Sequence, residues 1–360
     1  MKKNIVVIGG YGHVGGRICQ TLAQHYPGQV IAAGRSLKRA EAFCASSAGT
    51  ILPLALDVAQ APTESLLQET GLIIMCLDQQ DTRFAQACLA RGIHYIDISA
   101  DYGFLSQVEA LHDLAAEHGA SAWLSVGLAP GLTNLLARLV RDKLDDTSAI
   151  DITIMLGLGD AHGKAALEWT LDNAVSDFET GRTATGDRRR LVSLSDGRTV
   201  NWGNGVGRQR AYRFNFADQH ILPDTLEVPE VATRLSLDPG WMTGLLAAAK
   251  RLGLLLPLRL PFCRSLAVRA FGGMRMGQPL YALHVQANGH INGQPASVAA
   301  VLRGRHESEV TALTAAALAL EVCSGRAPGG VRHIEQGFTY PELAHALEGV
   351  AHLTLVEPGR

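Results

Sequence analysis

Near its start the chain reads Gly10-Tyr11-Gly12-His13-Val14-Gly15. This G-x-G-x-x-G directly follows an apolar run of strand type and opens a segment of helical period, a setting in which each glycine has separate work. The first permits a tight turn, the second lets backbone amides approach a pyrophosphate, and the third lets helix and strand pack closely. The amino end of the helix adds unpaired N–H groups and a positive dipole, so Gly10, Tyr11, Gly12, His13 and Val14 are expected to carry dinucleotide phosphates. Gly9 also permits a G-x-x-G-x-x-G spacing, but the Tyr-x-x-x-Lys pair that reading needs after the fifth strand is absent.

Twenty residues past Gly15, where a carboxylate would hold the ribose of NAD, stands Gly34-Arg35-Ser36. A carboxylate would repel a 2′-phosphate, whereas a guanidinium forms paired charged hydrogen bonds with it. Lys38 and Arg39 add positive charge, so the predicted cofactor is NADP(H). Further along, Asp57 follows the third expected strand and Leu77-Asp78 the fourth, positions that face the adenine and the nicotinamide ribose; each aspartate serves equally well as a helix cap. After the fifth, Ser99-Ala100 offers a small step towards the nicotinamide, and Asp101 and Tyr102 offer an acid and a phenol for proton transfer. Asp97, inside that strand, reads as structural.

In the second half, His162 and Lys164 sit at a glycine-rich entry to a helix that carries Trp169. His162 would donate a proton near neutrality, Lys164 would hold a substrate carboxylate and Trp169 would stack, although a plain surface loop explains the same residues. His220 is a second histidine candidate.

The elements that must position these groups follow from hydrophobic period. Strands are expected over 4–8, 30–33, 51–56, 72–77, 95–98 and 122–126, with helices over 14–25, 37–47, 63–69, 83–91 and 105–118. This alternation predicts an α/β chain whose N-terminal Rossmann domain, a doubly wound parallel sheet over 1–146, is followed by an α+β domain with a mixed sheet over 147–308. Residues 309–360 read as helices that return to the first domain.

The 360 residues are 47% hydrophobic with a net charge of −2, which excludes general disorder and any broad attraction to nucleic acid. Six dispersed cysteines suggest neither a metal site nor a disulfide framework and fit a reducing cytoplasm. The apolar stretch 245–262 holds Lys250, Arg251, Arg259 and two prolines, so it is not expected to span a bilayer. Left exposed it would ask for cover, and a homodimer is the expected answer.

Four segments carry a family resemblance: GGYGHVGG at 9–16, AGRS at 33–36, HYIDISADY at 94–102 and VGLAPGLTNLLA at 126–137. In these the chain resembles the saccharopine dehydrogenase-like NADP-binding oxidoreductases, with Ala100-Asp101 where that family's fifth-strand motif has Gly-Glu. The resemblance implies hydride transfer at the carbon–nitrogen bond of a small amino-acid-derived substrate. It equally admits a trans-acting reductase of carbon–carbon double bonds on a carrier-bound intermediate, docked through 245–262. A non-catalytic NADP-sensing protein is the rival from another class.

Overall fold

The computed structural model describes residues 4–159, 164–182, 188–203, 206–273 and 276–356. They form two compact units, one of Met1–Leu132 with Ser308–Leu347 and one of Thr133–Glu307 with Glu348–Arg360.

The first unit opens with β1 (Asn4–Ile8), α1 (His13–Ala23), β2 (Val30–Gly34), α2 (Leu37–Cys44) and β3 (Ile51–Ala55). It continues through α3 (Glu64–Glu69), β4 (Thr70–Met75), α4 (Arg83–Leu89), β5 (His94–Asp97), α5 (Tyr102–Glu109), α6 (His112–Glu117) and β6 (Ser121–Leu124). The strands lie parallel in the order β3-β2-β1-β4-β5-β6, and a seventh strand, Gly330–His333, runs parallel beside β6. Covered on both faces, β1 buries Ile5 to Ile8 without alternation, as a central parallel strand must. α1 lays Ile18, Cys19, Leu22 and Ala23 against the sheet at helical spacing. The strand order reverses between β1 and β4, so the crevice of a doubly wound sheet opens at their carboxyl ends.

The second unit contains α7 (Thr133–Arg141), β7 (Asp146–Gly157), α8 (Lys164–Val175), β8 (Phe178–Arg182), β9 (Arg188–Leu191), β10 (Arg198–Asn201) and β11 (Arg208–Arg213). α9 (Asp218–Thr225), β12 (Glu230–Asp238), α10 (Trp241–Arg251), α11 (Pro261–Gly273), β13 (Leu280–Ile291) and β14 (Gln294–Arg305) follow. Its main sheet is mixed: β12 is parallel to β7, and β13 is antiparallel to both β7 and β14. The chain then returns to the first unit with α12 (Glu307–Cys323) and β15 (Gly330–His333), and ends in β16 (Ala351–Val356).

The units differ from the sequence-based boundaries at three places. The first division falls after Leu132 rather than near Asp146, because the apolar face of α7, with Leu135, Leu136 and Val140 buried, packs on β7, β13 and β14. The expected C-terminal helices include a strand, β15, that extends the first sheet. The last strand, β16, pairs antiparallel with β14, Ala299 opposite Val356, so residues from Glu348 onward belong to the second unit. The helix expected over 105–118 is two, α5 and α6.

Candidate functional site

After β1 the chain turns through Gly9 at φ +81°, with the Gly9 and Gly10 N–H groups donating to Ala33 O at 2.8 and 3.2 Å. A Cβ on Gly10 would stand 2.7 Å from Ala32 Cα, and one on Gly15 only 2.3 Å from Gly9 O, so the chain's own packing demands both glycines. Gly12 is different. A Cβ there would meet Gly9 O at 3.1 Å and otherwise open space, so its missing side chain leaves room on the ligand side. Gly12 is also the N-cap of α1, no side chain caps that helix, and its first turn holds no acidic residue. The first turn thus brings no carboxylate of its own to the amino end, which favours phosphate binding there. His13 is exposed and Val14 half-buried at this first turn.

At the end of β2 the Tyr11 ring lies across Gly34, where a Cβ would come within 2.5 Å of the phenol oxygen. That oxygen accepts a hydrogen bond from the Ser36 N–H at 3.1 Å, and the Arg39 guanidinium carbon sits 4.9 Å from the ring centroid. Ser36 in turn caps α2, its Oγ accepting from the Arg39 N–H at 3.4 Å. Arg35, Lys38 and Arg39 are all exposed, and no described carboxylate pairs with Arg35 or Arg39. Three cations at the amino end of α2, Arg39 among them over the ring of Tyr11 next to Gly12 in the chain, fit the phosphates of NADP(H), the extra 2′-phosphate included.

These features belong to a span that matches a known family. Residues 5–122 match the model of the saccharopine dehydrogenase NADP binding domain. This part of the chain is an NADP-binding domain of that family. The fold of the whole chain is similar to apo saccharopine dehydrogenase (L-Glu forming) from Saccharomyces cerevisiae, at TM-score 0.66 and 12% identity over 99% of this chain and 100% of that one. It is also aligned with C. glutamicum DAP dehydrogenase in complex with DAP, at TM-score 0.47 and 13% identity over 95% and 96%. Among curated proteins no match is found.

Within the NADP-binding domain the remaining strand ends differ in what they do. Asp57 uses Oδ1 to accept from the Ala59 N–H at 3.1 Å, shaping the turn after β3. Leu77, 40% exposed, lies over Gly9, and Asp78 beside it is exposed. Ser99 is buried with its Oγ accepting from the Asp101 N–H at 3.3 Å, and Ala100 is half-buried. Asp101 caps α5, Oδ1 accepting from the Phe104 N–H at 2.9 Å, and Tyr102 is the first, half-buried residue of that helix.

Asp97, read from sequence as structural, is the centre of a buried polar cluster. Its carboxyl accepts from Tyr95 O–H at 2.7 Å, Gln79 Nε2 at 3.1 Å and Ser99 N–H at 2.8 Å. Burial pushes its pKa up to about 6 against the pull of those donors, and the nearby Asp78 charge raises it further. Gln79 Oε1 is buried without a hydrogen-bond partner. Gln79 Nε2 also donates to Tyr95 Oη at 2.8 Å, so the three side chains form one closed network. Periodicity placed Asp97 correctly but could not show that Gln79 and Tyr95 close around it.

A second polar chain also escaped sequence reading. Ser125 Oγ lies 2.7 Å from His333 Nδ1, and His333 Nε2 lies 2.8 Å from Glu109 Oε1. Ser125 and His333 are buried, and the contacts tie β15 to α5 and to the residue after β6.

In the second unit, His162 and the Lys164 side chain lie outside the described residues. Trp169 is half-buried with its ring 5.8 Å from Phe214 and 5.1 Å from Phe216, and His220 Nε2 lies 2.7 Å from Asn215 Oδ1. Sequence reading passed over Arg234. It is 2% exposed and clamped between Asp151 at 2.7 Å and Asp196 at 2.5 Å. Both carboxylates lie on other elements, which no local pattern reveals. Among the described residues no group of acidic, histidine or cysteine side chains is arranged to hold a metal ion.

Proposed function

We propose that the protein is an NADP(H)-dependent oxidoreductase that transfers hydride at the carbon–nitrogen bond of a small amino-acid-derived substrate. The observation that carries this reading is the cofactor site itself: a turn whose Gly12 stays open at the amino end of α1, with the exposed cations Arg35, Lys38 and Arg39 following the next parallel strand. Its occurrence in a chain whose fold parallels saccharopine dehydrogenase from end to end supports the choice of reaction. Bound NADP(H) supplies the hydride.

The chain's own residues have binding and protonation to perform. Gly10 to Val14 hold the phosphates, and Arg35 with Ser36 selects the 2′-phosphate. An iminium already carries the charge that draws hydride, so positioning does most of the acceleration and few acid–base groups are needed. Asp101, Tyr102 and His162 are the proposed proton-transfer candidates, with Lys164 and Trp169 proposed for the substrate's carboxylate and side chain.

Stopped-flow oxidation of NADPH against cyclic imines, 2-oxo acid plus amine pairs and enoyl thioesters tests the proposal. Turnover with imines is expected. Turnover with enoyl thioesters alone would assign a carbon–carbon double-bond reductase instead, and tight NADPH binding without turnover on any of them would favour a sensing role.

A further inference from the structure

Between Asp238 and Glu307 the chain contains no acidic residue, and within 241–273 it holds Lys250, Arg251, Arg259, Arg264 and Arg269. This stretch forms α10, the short turn Leu256–Arg259 and α11, and all three pack against α8. Outward it presents Trp241, Leu252, Leu254, Leu260, Phe262 and Leu266, each 56 to 79% exposed. Such a concentration of large apolar side chains on one surface segment marks a contact face.

The charges narrow what that face contacts. Lys250 is held by Asp177 at 3.3 Å and by the Val175 carbonyl, and Arg264 by Asp172 at 2.5 Å and Glu168 at 3.5 Å. Arg251, Arg259 and Arg269 are exposed, and no described carboxylate pairs with them. A second copy joined through the same patch would set these arginines against a like surface to which residues 239–306 contribute no acidic side chain. An anionic lipid surface satisfies both features at once: headgroups take the guanidinium groups while the leucines, Phe262 and Trp241 enter the boundary of the acyl region. Spanning is excluded for these helices, since none among the described residues is long and apolar enough to cross a membrane.

We propose that the α10–α11 face docks the protein in the plane of an anionic lipid bilayer, with residues 252–262 inserted at the headgroup boundary. This does not depend on the proposed reaction. The test sediments the full-length protein with vesicles of phosphatidylcholine alone or with about 30% phosphatidylglycerol. Partition is expected to rise about tenfold or more on the anionic vesicles and to fall as sodium chloride is added. Arg251→Glu/Arg259→Glu should lose that anionic preference, and Leu254→Ser/Phe262→Ser should lose vesicle binding altogether, while both keep wild-type NADPH affinity as proof of folding. Absence of wild-type binding to anionic vesicles at low salt would overturn the proposal. So would equal binding by wild type and both variants. A dimer in light scattering that Leu254→Ser/Phe262→Ser dissociates, with no vesicle binding, would assign the face to a second copy instead. Should a variant fail to fold, the wild type's own dependence on lipid charge and salt decides.

Discussion

Arg35 stands exposed at the end of β2 beside Ser36, Lys38 and Arg39, where a 2′-phosphate would meet a planar, permanently charged donor. Arg35→Ala should weaken NADPH binding by about 1.5 to 3 kcal/mol, roughly ten- to a hundred-fold, and leave NADH binding nearly unchanged. Fluorescence titration of both cofactors checks this; an equal loss for the two would mean that Arg35 serves the adenine or the fold rather than the phosphate. Asp97 makes a prediction about pH. With its folded value near 6, chiefly from burial, and an unfolded value of about 3.9, the folded chain holds this proton more tightly than the unfolded one. The stability this gives is full below about pH 4 and is lost as pH rises through 6, on the order of 2 to 3 kcal/mol. Asp97→Asn removes the titration. Urea unfolding of both proteins from pH 4 to 8 should show wild type losing ground to the variant across that window, and a constant difference would sink the idea.

The turn between β1 and α1 separates two uses of glycine that sequence spacing makes look alike. Gly15 is forced by packing, since a methyl group there would lie 2.3 Å from Gly9 O, whereas at Gly12 the nearest atom is Gly9 O at 3.1 Å. Gly15→Ala should therefore cost about 3 kcal/mol or more of stability by overpacking the helix against its own entry turn. Gly12→Ala should keep a melting temperature within a few degrees of wild type. Its NADPH affinity should nevertheless fall by about tenfold or more, because the methyl group occupies the side from which a pyrophosphate approaches. Thermal melts and cofactor titrations on the same two samples separate the effects, and parallel losses of stability and affinity in both would refute the distinction.

The first unit is discontinuous in sequence but continuous in space. α12 buries Val310, Ala312, Ala315, Ala316, Leu318 and Ala319, the Leu128 N–H donates to Thr311 Oγ1 at 3.2 Å, and β15 completes the sheet beside β6. Residues 1–132 alone would leave the β6 edge unpaired and expose the surface that α12 covers. Joining 1–132 to 308–347 by a short Gly/Ser linker should give a cooperatively folded chain with NADPH affinity within a few-fold of the full protein. The segment 1–132 alone should not melt cooperatively. Circular dichroism melts and titration compare the two, and cooperative folding of the short segment would show that the return is dispensable.

The six strands from β1 to β6, the phosphate turn and the cationic end of β2 were legible along the chain because each depends on neighbours a few residues away: period, capping and the glycines of a turn. The Asp97–Gln79–Tyr95 cluster, the Ser125–His333–Glu109 chain and the Arg234 clamp were not, because their partners arrive from distant strands and helices and leave no local pattern. The same holds for the ends of the two units. An apolar helix such as α7 or α12 announces that it must be buried, but only the packed structure chooses the sheet that buries it, since hydrophobic burial is non-directional and the partner surface is set by topology.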